Sequence, residues 1–231
     1  MVAGVESLGI KPSELDGILI THEHSDHISG LGILARKYEI PIYTTKETYE
    51  AIKQDKKIGL LPEGLFHEVR YDEKFILKDM EIYPVRISHD AKKPVAYRVG
   101  CEKKKVGILT DLGNFNDYIV ECMSNLDAVL LEANHDVNML QVGPYPYYLK
   151  QRILGDRGHL SNESAGKLLC HLLHDDLKAV FLGHLSKENN YEELAFETVK
   201  LEIAFGSDKY KPDDFLIEVA KRDSVSRMME F

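Results

Sequence analysis

Thr21-His22-Glu23-His24-Ser25-Asp26-His27 follows directly on the apolar run Ile18-Leu19-Ile20 and packs four metal-ligating side chains, His22, His24, Asp26 and His27, into six positions. Neutral imidazole and ionised carboxylate are the groups that bind zinc or manganese near neutral pH. Where a chain leaves a strand, His22 and His24 point the same way by the period of two, while Asp26 and His27 fall on the turn into the next helix. One ion cannot take all four comfortably, so the motif predicts two. The alternative is a polar turn with hydrogen-bonded histidines. Three crowded imidazoles beside a carboxylate speak against it, because they destabilise one another once protonated unless a cation or hydrogen bonds keep them neutral.

Outward from this motif, three later residues share its position just beyond an apolar strand. His89 follows Glu81 to Ile87, Asp111 follows Gly107-Ile108-Leu109-Thr110, and His184 follows Phe181-Leu182-Gly183. Strand ends along one sheet edge are where loops converge to build a site.

The rest of the chain alternates in the same manner. Strands are expected at Asp16 to Thr21 and Pro41 to Thr44, with helices at Ile28 to Tyr38 and from Lys46. Short β-prone runs follow at Phe75 to Leu77, Glu81 to Ile87, Val95 to Val99 and Lys105 to Thr110, their brief connections suiting antiparallel pairing. Helices at Asn116 to Met123, Tyr147 to Leu154, Asn162 to His174 and Tyr191 to Phe205 then alternate with strands at Ala128 to Leu131, Ala179 to Leu182 and Phe215 to Ala220. This order predicts an α/β (α+β) chain with two mixed sheets flanked by helices, in one domain over residues 1–231.

Composition narrows the function. With 231 residues, 44% of them apolar and 29% charged, the chain has enough apolar content for a core, which excludes disorder. Runs such as Ala128-Val129-Leu130-Leu131 are far short of a membrane span. Met1 to Glu6 lacks the basic and apolar regions of a signal peptide, so a cytoplasmic protein without a membrane partner is expected. Cys101, Cys122 and Cys170 are odd in number at unrelated spacings, which fits reduced thiols. A formal charge of −9 offers no general attraction to nucleic acid, so a polyanion must be captured locally.

His22-x-His24-x-Asp26-His27 followed by His89, Asp111 and His184 resembles the metal motif of the metallo-β-lactamase superfamily. The segments Leu131-Glu132-Ala133-Asn134-His135-Asp136, Gly143 to Lys150 and Arg157-Gly158-His159-Leu160-Ser161-Asn162 resemble its YycJ/WalJ-like bacterial branch over nearly the whole chain. The resemblance implies an αββα sandwich and two divalent ions, Zn or Mn. His22, His24 and His89 would hold one ion, Asp26, His27 and His184 the other, and Asp111 would bridge them. It also implies that the family's first β-hairpin is missing here. The implied activity is cleavage of nucleic-acid phosphodiesters, as a 5'-to-3' DNA exonuclease with a part in DNA repair.

Two ions can hold a hydroxide between them, polarise the phosphoryl oxygen and stabilise the departing oxygen. Asp26 would orient the water while serving as a ligand. His135 and His159 are the candidates for protonating the leaving group. Ser161 reads as a helix N-cap, so His159, Ser161, Asn162 and Ser186 form either a phosphate-binding loop or an ordinary cap. Tyr145, Tyr147, Lys150, Arg152 and Arg157 either contact a nucleic-acid strand or belong to a helix whose tyrosines pack on the sheet. Two competing readings keep the metal ligands: hydrolysis of another ester, thioester or lactam, and a regulatory partner that holds metal without turnover.

Overall fold

The computed structural model describes residues 2–230. Its contacts divide the chain into two units, one running to Arg86 and including Ala91–Tyr97, the other comprising Ile87–Asp90 and the chain from Arg98 onward.

The first unit begins with α1, Val2–Ser7, and β1, Ile18–Leu19. The helix expected over Ile28 to Tyr38 is two helices, α2 at Ser25–Ile28 and α3 at Leu31–Tyr38, with Gly30 at the N-cap of the second. Asp26 and His27 therefore lie inside α2 rather than on a turn before it, and His24 is its N-cap. β2, Ile42–Thr44, leads into α4, Lys46–Gln54, whose N-cap Thr45 accepts a hydrogen bond from Thr48 N. A further strand, β3 at Phe66–Glu68, was not expected from the sequence. β1 and β3 both pair parallel with β2. This sheet is parallel rather than mixed because a helix in each connection returns the chain to the same end. Ile20, Ile28, Leu31, Ala35, Ile42, Ile52 and Ile58 form its core. Burying each large aliphatic side chain contributes about 1.5 to 3 kcal/mol. β4, Phe75–Leu77, and β5, Met80–Arg86, form the expected antiparallel hairpin, with Lys78 left-handed in the turn.

β6, Val95–Cys101, carries the chain into the second unit and turns at Glu102-Lys103 into β7, Lys104–Leu109. β8, Ala128–Glu132, β9, Ala179–Gly183, and β10, Leu216–Val219, follow, and β7 to β10 pair parallel in that order. The intervening helices are α5 at Asp117–Cys122, α6 at Val137–Val142, α7 at Tyr147–Leu154, α8 at Asn162–Leu172 and α9 at Glu192–Gly206. α6 is a helix that the apolar pattern did not predict. Leu109, Leu131, Leu140, Leu168, Leu169, Val180 and Leu182 are among the buried residues of this unit. The strands thus fall into two sheets, β1-β2-β3 and β10-β9-β8-β7-β6-β5-β4, the second of them mixed.

Candidate metal centre

The first unit positions His22, His24, Asp26 and His27 from the end of β1. Ile20 O accepts from Tyr97 Oη at 3.0 Å and from Thr44 Oγ1 at 3.1 Å, and Val95 N donates to Thr21 O at 2.9 Å, so the chain leaves the strand in a fixed direction. Tyr97 is buried, and burial pushes its phenol pKa up, keeping it a neutral donor. Glu23 does not join the ligands. Its Oε1 accepts from Lys92 N at 2.8 Å and its Oε2 from Thr48 Oγ1, which ties the motif to α4. The imidazoles of His22 and His24 lie 4.6 Å apart between centroids, and those of His22 and His27 4.2 Å apart. Thr21 Oγ1 lies 3.1 Å from His22 Nδ1 and 3.3 Å from His27 Nδ1. One hydroxyl can donate to one of them and must accept from the other, so at least one ring carries its proton on Nδ1 and its lone pair on Nε2.

In the second unit the site lies at the C-terminal ends of β7, β8 and β9. The register pairs Leu109 with Leu131 and Glu132 with Gly183, so Asp111, Glu132 and His184 leave neighbouring strands at one edge. Asp111 and His184 both adopt left-handed backbone, at φ 60° and 57°. Such strain in non-glycine residues persists where the surrounding structure holds it. Asn134 contributes here, its Nδ2 donating to His184 O at 2.8 Å. Asp111 Oδ1 lies 3.5 Å from His184 Nε2 and 3.7 Å from His89 Nε2.

Glu132 is the residue that sequence reasoning missed. Its side chain has no exposure, yet Oε1 accepts from His159 Nδ1 and from His184 Nδ1, each at 2.8 Å. Oε2 accepts from Leu112 N at 2.9 Å and Leu160 N at 3.2 Å. Burial by itself disfavours the ionised carboxyl. The hydrogen bonds from the two histidines outweigh it and hold the pKa below the usual carboxylate range. The available signal was an acid closing the apolar strand Ala128-Val129-Leu130-Leu131, a position where an unpartnered carboxylate would be costly.

The donor set fits divalent metal. His184 Nδ1 is committed to Glu132 and His89 Nδ1 donates to Gly158 O at 3.0 Å, so in both rings Nε2 bears the lone pair. Asp111, Glu132, His159 and His184 each bring a ligand-capable atom within 4.8 Å of the others. Burial pushes the pKa of His89 down, against the opposing pull of Asp111, and so favours the neutral, ligating form.

The remaining expected residues divide. His159 stands with its ring 5.0 Å from that of His89 and 5.4 Å from that of His184. His135 is buried, neither of its ring nitrogens has a hydrogen-bond partner among the described residues, and burial pushes its pKa down to about 4. Ser161 does cap α8, accepting from Ser164 N, and Ser186 Oγ accepts from Asn189 N. Asn162 is corrected as a phosphate contact. It is fully buried, its amide pairs reciprocally with that of Asn190, and its N–H donates to His135 O. Tyr147 is 77% exposed and lies beside a hollow of about 330 Å³ lined by Gln141, Lys150, Gln151 and Leu154. Lys150 Nζ donates to the carbonyls of Gln141 and Gly143, while Arg152 and Arg157 engage Asp90 and His89 O.

A profile described as a beta-lactamase superfamily domain matches residues 5–183. The chain belongs to the beta-lactamase superfamily. Exodeoxyribonuclease WalJ of Streptococcus pneumoniae serotype 2 (strain D39) is 43% identical over 194 residues, covering 84% of this chain and 72% of that protein. Exodeoxyribonuclease YycJ of Bacillus anthracis is 39% identical over 191 residues, covering 79% and 69%. Both fall in the branch of the superfamily that the sequence motifs indicated. Among solved structures, the metallo-beta-lactamase fold protein YhfI from Bacillus subtilis matches with a TM-score of 0.67 at 17% identity, over 94% of this chain and 79% of that one. This chain and YhfI share the superfamily fold. Among the described residues, no helix is long and apolar enough to cross a membrane.

Proposed function

We propose that this superfamily member is a two-metal phosphodiesterase acting on nucleic acid, a DNA exonuclease that degrades from 5' to 3', working in the cytoplasm as one domain over residues 1–231. The observation that carries this reading is the 43% identity to exodeoxyribonuclease WalJ over 84% of the chain. The family match from residue 5 to residue 183 runs through both units, which supports a single domain. An odd count of three cysteines at unrelated spacings fits a reducing compartment.

The proposed ligands are His22, His24 and His89 for one ion, Asp26, His27 and His184 for the other, and Asp111 for both, with zinc or manganese as the metal. When bound, such ions supply Lewis acidity toward a phosphoryl oxygen and lower the pKa of water from about 15.7 toward about 7. Asp26 in the first turn of α2 orients the attacking water. His159 delivers the proton to the leaving oxygen from its Nε2, because its Nδ1 is anchored on the Glu132 carboxylate. His135, neutral at pH 7 because of its burial, suits the role of a hydrogen-bonding wall better than that of an acid. His159, Ser161 and Ser186 face the scissile phosphate, while Tyr145, Tyr147 and Lys150 take the strand beyond it. The exposed ring of Tyr147 beside an open hollow supports base stacking.

The test is cleavage of end-labelled DNA by metal-free protein with each metal added back. His24→Ala and Asp111→Asn should each reduce cleavage roughly a thousandfold, the loss of several kcal/mol of transition-state stabilisation, with circular dichroism unchanged. Asparagine is chosen at 111 because it tolerates left-handed backbone. Normal cleavage by either variant, or turnover of thioester or β-lactam substrates in preference to DNA, defeats the proposal.

A further inference from the structure

Residues 88–90 belong to no strand or helix, so the backbone that presents His89 has no ladder to hold it. Gly113 N donates to Ser88 O at 2.9 Å, and other contacts that hold this segment come from α7 and the loop that follows. Ser88 Oγ donates to Asp156 O at 2.8 Å, and His89 Nδ1 donates to Gly158 O at 3.0 Å. The Arg157 guanidinium donates twice to His89 O, from Nε at 3.2 Å and from Nη2 at 3.0 Å. Arg152 forms a two-pronged ion pair with Asp90, through Nε to Oδ2 and Nη2 to Oδ1. The ring of His89 and its own carbonyl are thus gripped by adjacent residues, Gly158 and Arg157. Turning the imidazole away from Asp111 breaks the Gly158 bond, and shifting the backbone that carries the ring breaks the Arg157 bonds.

We propose that Arg157, assisted by Arg152, is a positioning residue for His89 and not a contact to the nucleic-acid strand, contrary to what a cation among tyrosines suggests in the sequence. A forked guanidinium on one carbonyl oxygen is a charge-assisted contact that a lysine ammonium, a single point charge on a flexible stem, does not reproduce. The proposal rests on His89 being a metal ligand.

The test compares the intact chain with Arg157→Met, Arg157→Lys, His89→Ala and the double variant His89→Ala/Arg157→Met. Metal stoichiometry and affinity are read by chelator competition, and ligand geometry by the visible spectrum of the cobalt(II)-substituted protein. kcat and KM on labelled single-stranded DNA are measured at several salt concentrations. Arg157→Met should weaken one of two metals 10- to 100-fold, in the range found for groups that orient metal ligands. It should change the cobalt spectrum and lower kcat while KM stays within twofold. Arg157→Lys should recover little of this, and Arg157→Met should add nothing to His89→Ala, since both act through one ligand. Unchanged metal affinity and spectrum in Arg157→Met, with a raised KM and a salt dependence shallower by roughly one phosphate contact, would make Arg157 a strand contact and overturn the proposal. If His89→Ala itself keeps both metals at full affinity, the ligand assignment fails instead, and the two failures are told apart by that variant.

Discussion

Glu132 shows how one side chain organises several others. A carboxylate with no solvent access is tolerable only when every lone pair is answered, and here four N–H donors answer it. Nearby His135 is the opposite case, a buried imidazole whose ring nitrogens have no hydrogen-bond partner among the described residues. Its pKa of about 4 in the folded chain lies below the ordinary 6.5, so between those values the unfolded chain takes up a proton that the folded chain refuses. Stability from this group is complete above pH 6.5 and is lost progressively toward pH 4, by up to about 3 kcal/mol. His135→Gln should therefore flatten the decline in urea midpoint between pH 7 and pH 4.5 relative to the unaltered chain. Parallel declines would show that His135 titrates normally. The candidate metal cluster stood out in the sequence because His22, His24, Asp26 and His27 crowd into one motif. Glu132 was not, because an acid ending an apolar strand looks the same whether it is solvated or enclosed. Arg152 and Arg157 meet Asp90 and His89 O within the chain, which the sequence did not reveal, as a cation near tyrosines carries no mark of whether its partner is a phosphate or a group of its own chain.

Short elements escaped the sequence when their cause lay elsewhere in the fold. β3 is three residues long and has no apolar run. It exists because Leu65 O and its neighbours pair with β2. α6 buries Leu140 and little else, and its signal was the N-cap Asp136, which accepts from Met139 N at 2.7 Å. The break between α2 and α3 was written in Ser29-Gly30, where glycine weakens a helix interior. Longer elements such as α8 and the strands β8 and β9 were legible because their apolar period runs unbroken. The loops near Asp111 and His159 meet so closely that a Cβ on Gly113 would come within 2.4 Å of Gly158 N and 2.5 Å of Asp156 O. Both obstacles are backbone. Gly113→Ala should then lower stability by about 1 to 3 kcal/mol, measured as a shift in urea midpoint without a change in slope. An unshifted midpoint would mean that the loop is free to retreat.

Across the whole molecule, the α/β class was readable from the alternation of strands and helices, whereas the pairing of strands into a parallel and a mixed sheet depended on long-range partners that local pattern does not carry. The charge of −9 adds a constraint of its own, since clustered carboxylates and imidazoles gain from cations. Two bound ions present at a hundredfold excess over their Kd would stabilise the folded chain by about 5 kcal/mol. Removing them with a chelator should lower Tm by on the order of 10 °C, with recovery on adding metal back, as followed by calorimetry. An unchanged Tm would mean that the ligands are preformed and the ions weakly held. The left-handed backbone at Asp111 and His184 also limits what descent can do to this molecule. Most side chains resist that conformation, and only glycine, asparagine and aspartate enter it readily. A lineage that abandons catalysis yet keeps the scaffold is therefore steered toward asparagine or glycine at 111, leaving a silent paralogue with an unaltered outline.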